Sequence, residues 1–394
     1  MIFPRRILAD LKKQIETNEI VVLTGMRRAG KTTLLRMIFD KIPGGNKVFL
    51  DIENPLEQQI FEETDYNNIW ANLASYGISA KSKSYIFIDE IQAKPDVVRA
   101  VKYLHDHYKV KFFLTGSSSF YLKNLFPESL SGRKAVFVLY PLDFEEFLIF
   151  KGKRRAPAEG FKEKLKSKNK VSFEQNRKLY DEYLEYGGFP QVVLTDDNTR
   201  KKQQLNDILK SYFEKEVLSL AEFRRIKAFR DLMMLIMRRA GSQIDISKLA
   251  SEVGVSRPTV YSYIYFLEAT YFIDLISPFS RSVDREVSGT KKLYVCDNGI
   301  LNQFGRVSEG AMFENAVYHD IRKYGEVKYY RKRSGAEIDF VLPDISTAVE
   351  IKRTGRESDY KKLTVTAKSL KLKENYIVTK NFDSGQFSIP AQDI

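Results

Sequence analysis

An apolar run, Ile20-Val21-Val22-Leu23-Thr24, leads into Gly25-Met26-Arg27-Arg28-Ala29-Gly30-Lys31-Thr32 and then into Thr33-Leu34-Leu35-Arg36-Met37-Ile38-Phe39. The first run reads as a strand and the last as a helix, so the spacing G-x-x-x-x-G-K-T stands in a strand–loop–helix setting. Few folds accept that combination. Glycines at 25 and 30 let the backbone curl until successive N–H groups point at one anion. The helix that follows turns its positive end toward the same place. The pattern predicts nucleoside triphosphate binding. Gly25, Arg28, Ala29, Gly30, Lys31, Thr32 and Thr33 are the candidate contacts. Lys31 is placed to reach the β- and γ-phosphates and the Thr32 hydroxyl to bind Mg²⁺, so ATP and Mg²⁺ are the expected cofactors.

The rest of such a site follows in order. Lys47-Val48-Phe49-Leu50-Asp51 reads as a second strand, and Tyr85-Ile86-Phe87-Ile88 as a third that ends in Asp89-Glu90. Asp89 at the strand's end is the candidate for the Mg²⁺ shell, and Glu90 for orienting or deprotonating the attacking water. A fourth strand, Val110–Thr115, ends in Gly116-Ser117-Ser118-Ser119, where a hydroxyl contacts the γ-phosphate or caps the next helix. Thr115 and Ser117 are the candidates. A fifth strand spans Ala135–Leu139. Strands alternating with helices predict a parallel sheet layered by helices, with the ligand at the strands' C-terminal ends.

Gly25–Thr32, Ile88-Asp89-Glu90-Ile91-Gln92, Leu114-Thr115-Gly116-Ser117-Ser118, Ser131-Gly132-Arg133 and Pro141-Leu142-Asp143-Phe144-Glu145-Glu146-Phe147 together resemble the AAA+-type ATPases of bacteria and archaea that carry an uncharacterised C-terminal region. The resemblance covers essentially the full chain. It implies that Ser117 or Thr115 is the sensor on the fourth strand. It also implies that Arg133 is an arginine finger completing a neighbour's site, and hence a homo-oligomer. A role for Arg133 within its own chain, or as a surface charge, stays open.

The 394 residues suffice for several domains. The expected division is 1–150 for the ATPase, 151–235 for a basic insertion and helical lid, 236–290 for a winged helix-turn-helix and 291–394 for a nuclease-like domain. The 64 basic against 51 acidic residues leave a net charge of +13, which favours a polyanionic partner such as DNA. Residues 151–170 hold nine basic residues against Glu159 and Glu163 and read as a flexible insertion or linker. Gly187-Gly188-Phe189-Pro190 stops a helix and reads as structural. Ile246, Leu249, Ala250 and Val253 form one apolar face, Gly254 a turn, and Val260, Ile264 and Leu267 a second face. Ser256 and Pro258 suit the start of that second helix. This is a helix-turn-helix pattern with Arg257, Thr259, Tyr261, Ser262 and Tyr265 facing outward toward phosphates and base edges, or else a unit packing against the ATPase or another subunit.

Residues 311–394 change character. Glu337-Ile338-Asp339-Phe340-Val341-Leu342 and Ala348-Val349-Glu350-Ile351-Lys352 alternate as strands, so Glu337 and Asp339 share one face and Glu350 and Lys352 another. Buried without a partner, such charges cost several kcal/mol, about what a divalent cation relieves. The spacing resembles the PD-(D/E)xK restriction-endonuclease-type fold, with Ile338 where the name-giving Pro would be. That resemblance implies a metal held by Glu314, Asp339 and Glu350, with Lys352 assisting catalysis. His105 and His107 point apart on a helix, and His319 reads as a packing residue. Cys296, the only cysteine, reads as a buried hydrophobe.

No run approaches the roughly 18 apolar residues of a membrane span, and the start lacks a signal-peptide core. A reducing cytoplasm is the expected location. The expected fold is a P-loop AAA+-type α/β domain, a helical lid, a winged helix and a restriction-endonuclease-like α/β domain. The expected function is ATP hydrolysis associated with DNA. Two alternatives are a nucleotide-controlled signalling or oligomerisation switch, and a DNA-binding regulator with an inactive nuclease-like domain.

Overall fold

The computed structural model describes residues 3–117, 132–153, 160–218, 225–280, 282–332 and 335–394. Ser118, Ser119, Ser131 and residues 154–159 of the basic segment, all used above, lie outside the described residues. The chain divides into two compact units. One is Met1–Tyr140 with Ala269–Tyr271, the other Pro141–Glu268 with Phe272–Ile394.

In the first unit β1 (Ile20–Thr24), β2 (Lys47–Asp51), β3 (Tyr85–Asp89), β4 (Lys111–Gly116) and β5 (Lys134–Val138) form one sheet in the order β2-β3-β4-β1-β5. Every pairing is parallel. Side chains alternate across it. Ile20, Val22, Ile86, Ile88, Phe112 and Leu114 face the helices Tyr66–Ala74 and Val97–Tyr108. Val21, Leu23, Phe87 and Phe113 face the helices Leu8–Lys13 and Lys31–Lys41. The central strands β1, β3 and β4 are therefore buried on both sides, which explains their unbroken apolar runs in the sequence. Inserting β4 between β1 and β3 brings Thr115 beside Leu23, with Leu114 beside Ile88. The phosphate loop, the fourth-strand hydroxyl and the acidic pair thereby emerge at one end of the sheet.

The second unit begins with helices Phe144–Phe150, Phe161–Ser167, Lys170–Tyr186, Pro190–Val193 and Asn198–Tyr212. The basic segment departs from its expected looseness. Over 160–170 it is a docked helix and the start of the next, not a linker. Phe161 stacks on Tyr376 at 5.2 Å between ring centroids. The Lys164 ammonium donates to the Asp393 carbonyl at 3.0 Å. Lys168 donates to the carbonyls of Asp383 at 2.9 Å, Ser388 at 2.8 Å, and Gly385. Lysine here serves as a donor to loop carbonyls, with its stem laid on apolar surface.

The Gly187-Gly188 stretch is structural, as expected. Gly188 passes so close to the Leu142 carbonyl that a Cβ would lie 2.1 Å from it. The Gly188 N–H donates to Asp297 Oδ2 at 2.6 Å, while Oδ1 of the same side chain accepts from Gly299 N–H at 2.8 Å and Ile300 N–H at 3.2 Å. Burial pushes the Asp297 carboxyl up to about 6 against these stabilising donors.

Helices Ile246–Val253 and Arg257–Ala269 are joined through Gly254 and followed by the antiparallel pair β6 (Ile273–Ile276) and β7 (Lys292–Val295). Last come the helix Glu309–Ile321 and strands β8 (Lys328–Arg331), β9 (Glu337–Leu342), β10 (Thr347–Lys352), β11 (Glu374–Thr379) and β12 (Ser388–Pro390), in the order β12-β11-β10-β9-β8. β8, β9 and β10 pair antiparallel, and β10, β11 and β12 pair parallel. The helix Glu357–Ser369 crosses between β10 and β11 and seats Leu363 and Ala367 on the sheet. Among the described residues no helix is long and apolar enough to cross a membrane.

Candidate functional site

The phosphate loop owes its shape to Gly25 and Gly30, at φ +139° and +102°. A Cβ on Gly25 would meet the Leu139 carbonyl oxygen at 2.1 Å, so no other residue fits. Lys31 is buried, and its ammonium donates to the carbonyls of Gly25 at 2.9 Å and Met26 at 3.2 Å. It is thus held in the hollow of the loop. Arg5, buried near the N-terminus, donates to the Ala29 carbonyl at 3.1 Å and the Tyr140 carbonyl at 2.7 Å, bracing the loop from behind. Arg28 and Thr33 are exposed at the mouth, and Thr32 is half-buried.

Asp89 is buried and accepts hydrogen bonds from the hydroxyls of Thr115 and Thr32. Burial raises its pKa most; the two hydroxyls lower it, and the charges of Glu90 and Asp51 raise it further. A buried carboxylate beside two more acids and a loop threonine fits a divalent cation, with Thr32 and Asp89 as its protein ligands. Glu90, at φ +53°, turns out of the strand, and its N–H donates to the Thr115 hydroxyl at 3.0 Å. Its carboxylate accepts from Gln92, which also donates to Ser117 Oγ at 3.1 Å. Arg27 stands 3.9 Å from Glu90 and 3.7 Å from Glu53. The structure therefore joins Lys31, Thr32, Asp89, Glu90, Thr115 and Ser117.

Arg133 lies elsewhere. Its carbonyl accepts the Ile20 N–H at the N-terminal ends of β1 and β5, and its guanidinium pairs with Asp106 at 3.3 Å. A five-residue strand, about 17 Å, separates it from the loop end of the sheet. Arg133 therefore lies at the end of the sheet opposite its own phosphate loop.

In the second unit, Ser256 Oγ accepts the Thr259 N–H at 3.3 Å and caps the second helix of the pair. Arg257, Tyr261, Ser262 and Tyr265 are exposed as expected, while Thr259 is half-buried. An open groove of about 950 Å³ follows the turn, lined by Arg225, Gly254, Ser256, Arg257 and Ser262.

The C-terminal carboxylates converge only in part. Asp339 on β9 lies opposite Glu350 on β10, next to the paired residues Phe340 and Val349. Asp339 Oδ2 accepts the Ile351 N–H at 2.7 Å. Glu350 Oε1 takes the Lys352 ammonium at 2.6 Å, and its Oε2 is buried without a hydrogen-bond partner. Burial, then the charges of Glu350 and Glu314, push the Asp339 carboxyl up to about 7. The Asp339 carboxyl and the orphaned Glu350 oxygen thus face each other across the two strands. Glu314, expected as a third ligand, is a correction. Its Oε1 accepts the Tyr294 hydroxyl at 2.8 Å and pairs with Lys292 at 2.6 Å. Among the described residues no three His, Cys, Asp or Glu side chains form a set able to hold a metal ion. A groove of about 620 Å³ opens beside Glu350 and Lys352, with Lys361 and Lys362 on its rim.

The histidines serve structure. His105 bonds the Val110 carbonyl, His107 stacks on Tyr103, and buried His319 bonds the Val295 carbonyl at 2.8 Å. Cys296 is buried. Sequence reasoning missed roles for Arg5, Arg27, Gln92 and Lys292. Of these, Gln92 stood in the quoted motif Ile88–Gln92, and Lys292 beside the apolar run Leu293–Cys296.

The phosphate loop, the acidic pair and the parallel sheet define an AAA-type P-loop ATPase domain, and residues 17–148 match the family model of the AAA domain. Residues 177–315 and 309–389 match two domains of unknown function, DUF8612 and DUF4143. The chain belongs to the same family as the uncharacterized protein MJ1544 of Methanocaldococcus jannaschii, being 30% identical over 380 residues that cover 92% of this chain and 82% of that protein. It is also similar to an uncharacterized protein of Haemophilus influenzae, 26% identical over 399 residues, which cover 93% of this chain and 94% of the relative. Among solved structures it is similar to PH0952 of Pyrococcus horikoshii, a Signal Transduction ATPase with Numerous Domains (STAND) protein with a tetratricopeptide repeat sensor. That likeness has 16% identity and a TM-score of 0.31 and covers 82% of this chain and 45% of the other, too slight to carry a functional argument.

Proposed function

We propose that the chain is a Mg²⁺-dependent ATPase that works on DNA. The reading rests on one observation above others: Asp89 and the Glu90 N–H meet on the Thr115 hydroxyl, Thr32 of the phosphate loop bonds the same Asp89, and Lys31 is held in the loop's hollow. Lys31 and the loop N–H groups bind the phosphates, and Thr32 and Asp89 hold Mg²⁺, which when bound offsets phosphate charge. Glu90 orients the attacking water and accepts its proton. Gln92 and Ser117 keep that carboxylate at the strand end. Arg133 is assigned to the site of a neighbouring copy, where its positive charge stabilises the transferring phosphoryl group.

The DNA side of the proposal is supported by the helix pair with its two-stranded sheet, read as a winged helix, whose exposed Arg257, Tyr261 and Tyr265 suit phosphate and base contacts. The C-terminal sheet, read as nuclease-like, supplies Asp339 and Glu350 for a cation and Lys352 beside them. A second reading, in which this domain grips nucleic acid without cutting it, is favoured by the pairing of Glu314 with Lys292.

ATP turnover measured at low salt with and without duplex DNA tests the proposal. DNA binding that accelerates turnover is expected. Neither binding nor stimulation would sink the DNA part and leave a nucleotide-controlled switch. Cleavage of DNA with Mn²⁺, compared between the wild type and Glu350→Ala, separates cutting from gripping.

A further inference from the structure

The phosphate loop carries two adjacent arginines, and the fold treats them differently. Arg28, with φ +64°, is exposed. The Arg27 side chain is only 17% exposed and reaches the acids at the strand ends. Its Nη2 lies 3.9 Å from Glu90 Oε2 and 3.7 Å from Glu53 Oε1. Both separations exceed a hydrogen bond, so the guanidinium is shared between these two carboxylates and bonded closely to neither. The carbonyl of the preceding residue, Met26, accepts the Lys31 ammonium at 3.2 Å. Lys31 marks the hollow that takes the phosphates, and Arg27 leaves the same turn of chain toward Glu90, the residue assigned to the attacking water. A γ-phosphate presented to that water carries more charge than a carboxylate, and it offers the planar guanidinium two oxygens at once.

We propose that Arg27 reads the γ-phosphate: when ATP fills the loop, its guanidinium passes from Glu53 and Glu90 to the γ-phosphate oxygens, and so distinguishes ATP from ADP. The inference rests on the ATPase reading given above and adds to it a cation from the site's own chain. In the step it assists, the water oxygen bonds to the γ-phosphorus as the bond to the bridging oxygen breaks. The water proton goes to Glu90, and the electron pair leaves with ADP. Arg27 moves no proton; it balances the charge on the transferring group. Its transfer to the phosphate leaves the Glu90 carboxylate to the water, with Gln92 still donating to it.

Equilibrium binding of ADP and of the β,γ-imido analogue of ATP, each with Mg²⁺, tests this on the full chain beside single-turnover ATP hydrolysis. Arg27→Ala should weaken the ATP analogue about ten- to a hundredfold, leave ADP within about twofold, and slow hydrolysis about 10³-fold. Arg27→Lys, which keeps the charge but not the fork, should fall between the two. Added guanidinium ion should restore part of the hydrolysis to Arg27→Ala and none to Lys31→Ala, a rescue that a merely structural role for Arg27 would not give. Equal weakening of both nucleotides in Arg27→Ala, or analogue binding and hydrolysis unchanged, would overturn the inference and leave the ATPase reading standing. A wild type that binds neither nucleotide would overturn both.

Discussion

Gly25 shows how tightly one residue can be held by its surroundings. With φ at +139° and the Leu139 carbonyl 2.1 Å from where a Cβ would stand, Gly25→Ala must move backbone, not a pliable side chain. The variant should lose about 1–3 kcal/mol in urea unfolding and most of its ATP affinity. His319 gives a pH signature. Burial holds it well below its ordinary pKa, so it stays neutral in the fold while the unfolded chain gains a proton below about pH 6.5. The unfolded state then binds more protons, and stability falls as pH falls, by about 1.4 kcal/mol per unit. Wild type should therefore lose more stability than His319→Asn between pH 6 and pH 5, and parallel pH profiles would refute this. Asp297 acts with the opposite sign. Its folded pKa of about 6 lies above the ordinary 3.8, so its contribution is fully present below the lower value and lost as pH rises through the higher one. The comparison with the His319 variant cancels that second contribution.

At the scale of elements, the docking of the basic segment makes a separate prediction. Lys168 joins the helical region to the loop Asp383–Ser388 through three carbonyls, and charge-assisted bonds of this kind are worth about 1.5–3 kcal/mol in total. Lys168→Ala should lower stability by that amount and speed amide exchange across residues 383–390. Unchanged exchange would mean that the contact is idle. This segment was also the least legible stretch of the chain. Its lysines read as solvent-seeking charge because sequence shows the ammonium and not the carbonyls it will meet. The strands of the first unit were legible to within a residue, since burial on both faces leaves continuous apolar runs such as Ile20–Leu23 and Ile86–Ile88. Their order was not, because nothing local says that β4 enters between β1 and β3. The same limit applied at the site. Lys31, Thr32, Asp89 and Glu90 were found from spacing, whereas Gln92 and Arg27 join through contacts that only the fold creates. Glu314 was given a metal through the resemblance alone, where the fold supplies Lys292.

At the scale of the whole molecule, the net charge of +13 and the exposed face of the helix Arg257–Ala269 carry the proposed DNA contact. A variant combining Arg257→Ala, Tyr261→Ala and Tyr265→Ala should bind duplex DNA about tenfold more weakly and with a shallower salt dependence. An unchanged affinity would move the contact to another face. Arg133, remote from its own phosphate loop, makes a prediction about assembly. Arg133→Ala should bind ATP normally yet turn it over slowly, and mixing it with Lys31→Ala should restore activity, because each chain supplies what the other lacks. Failure to restore activity would confine Arg133 to its own chain, where it pairs with Asp106. The central claim is that the first unit hydrolyses ATP with Glu90 as base, and single-turnover hydrolysis beside equilibrium nucleotide binding tests it most directly. Glu90→Gln should bind Mg-ATP as the wild type does while hydrolysing it about 10²–10⁴-fold more slowly, and Lys31→Ala should lose binding itself. Wild-type hydrolysis by Glu90→Gln, or undiminished ATP binding by Lys31→Ala, would contradict the account.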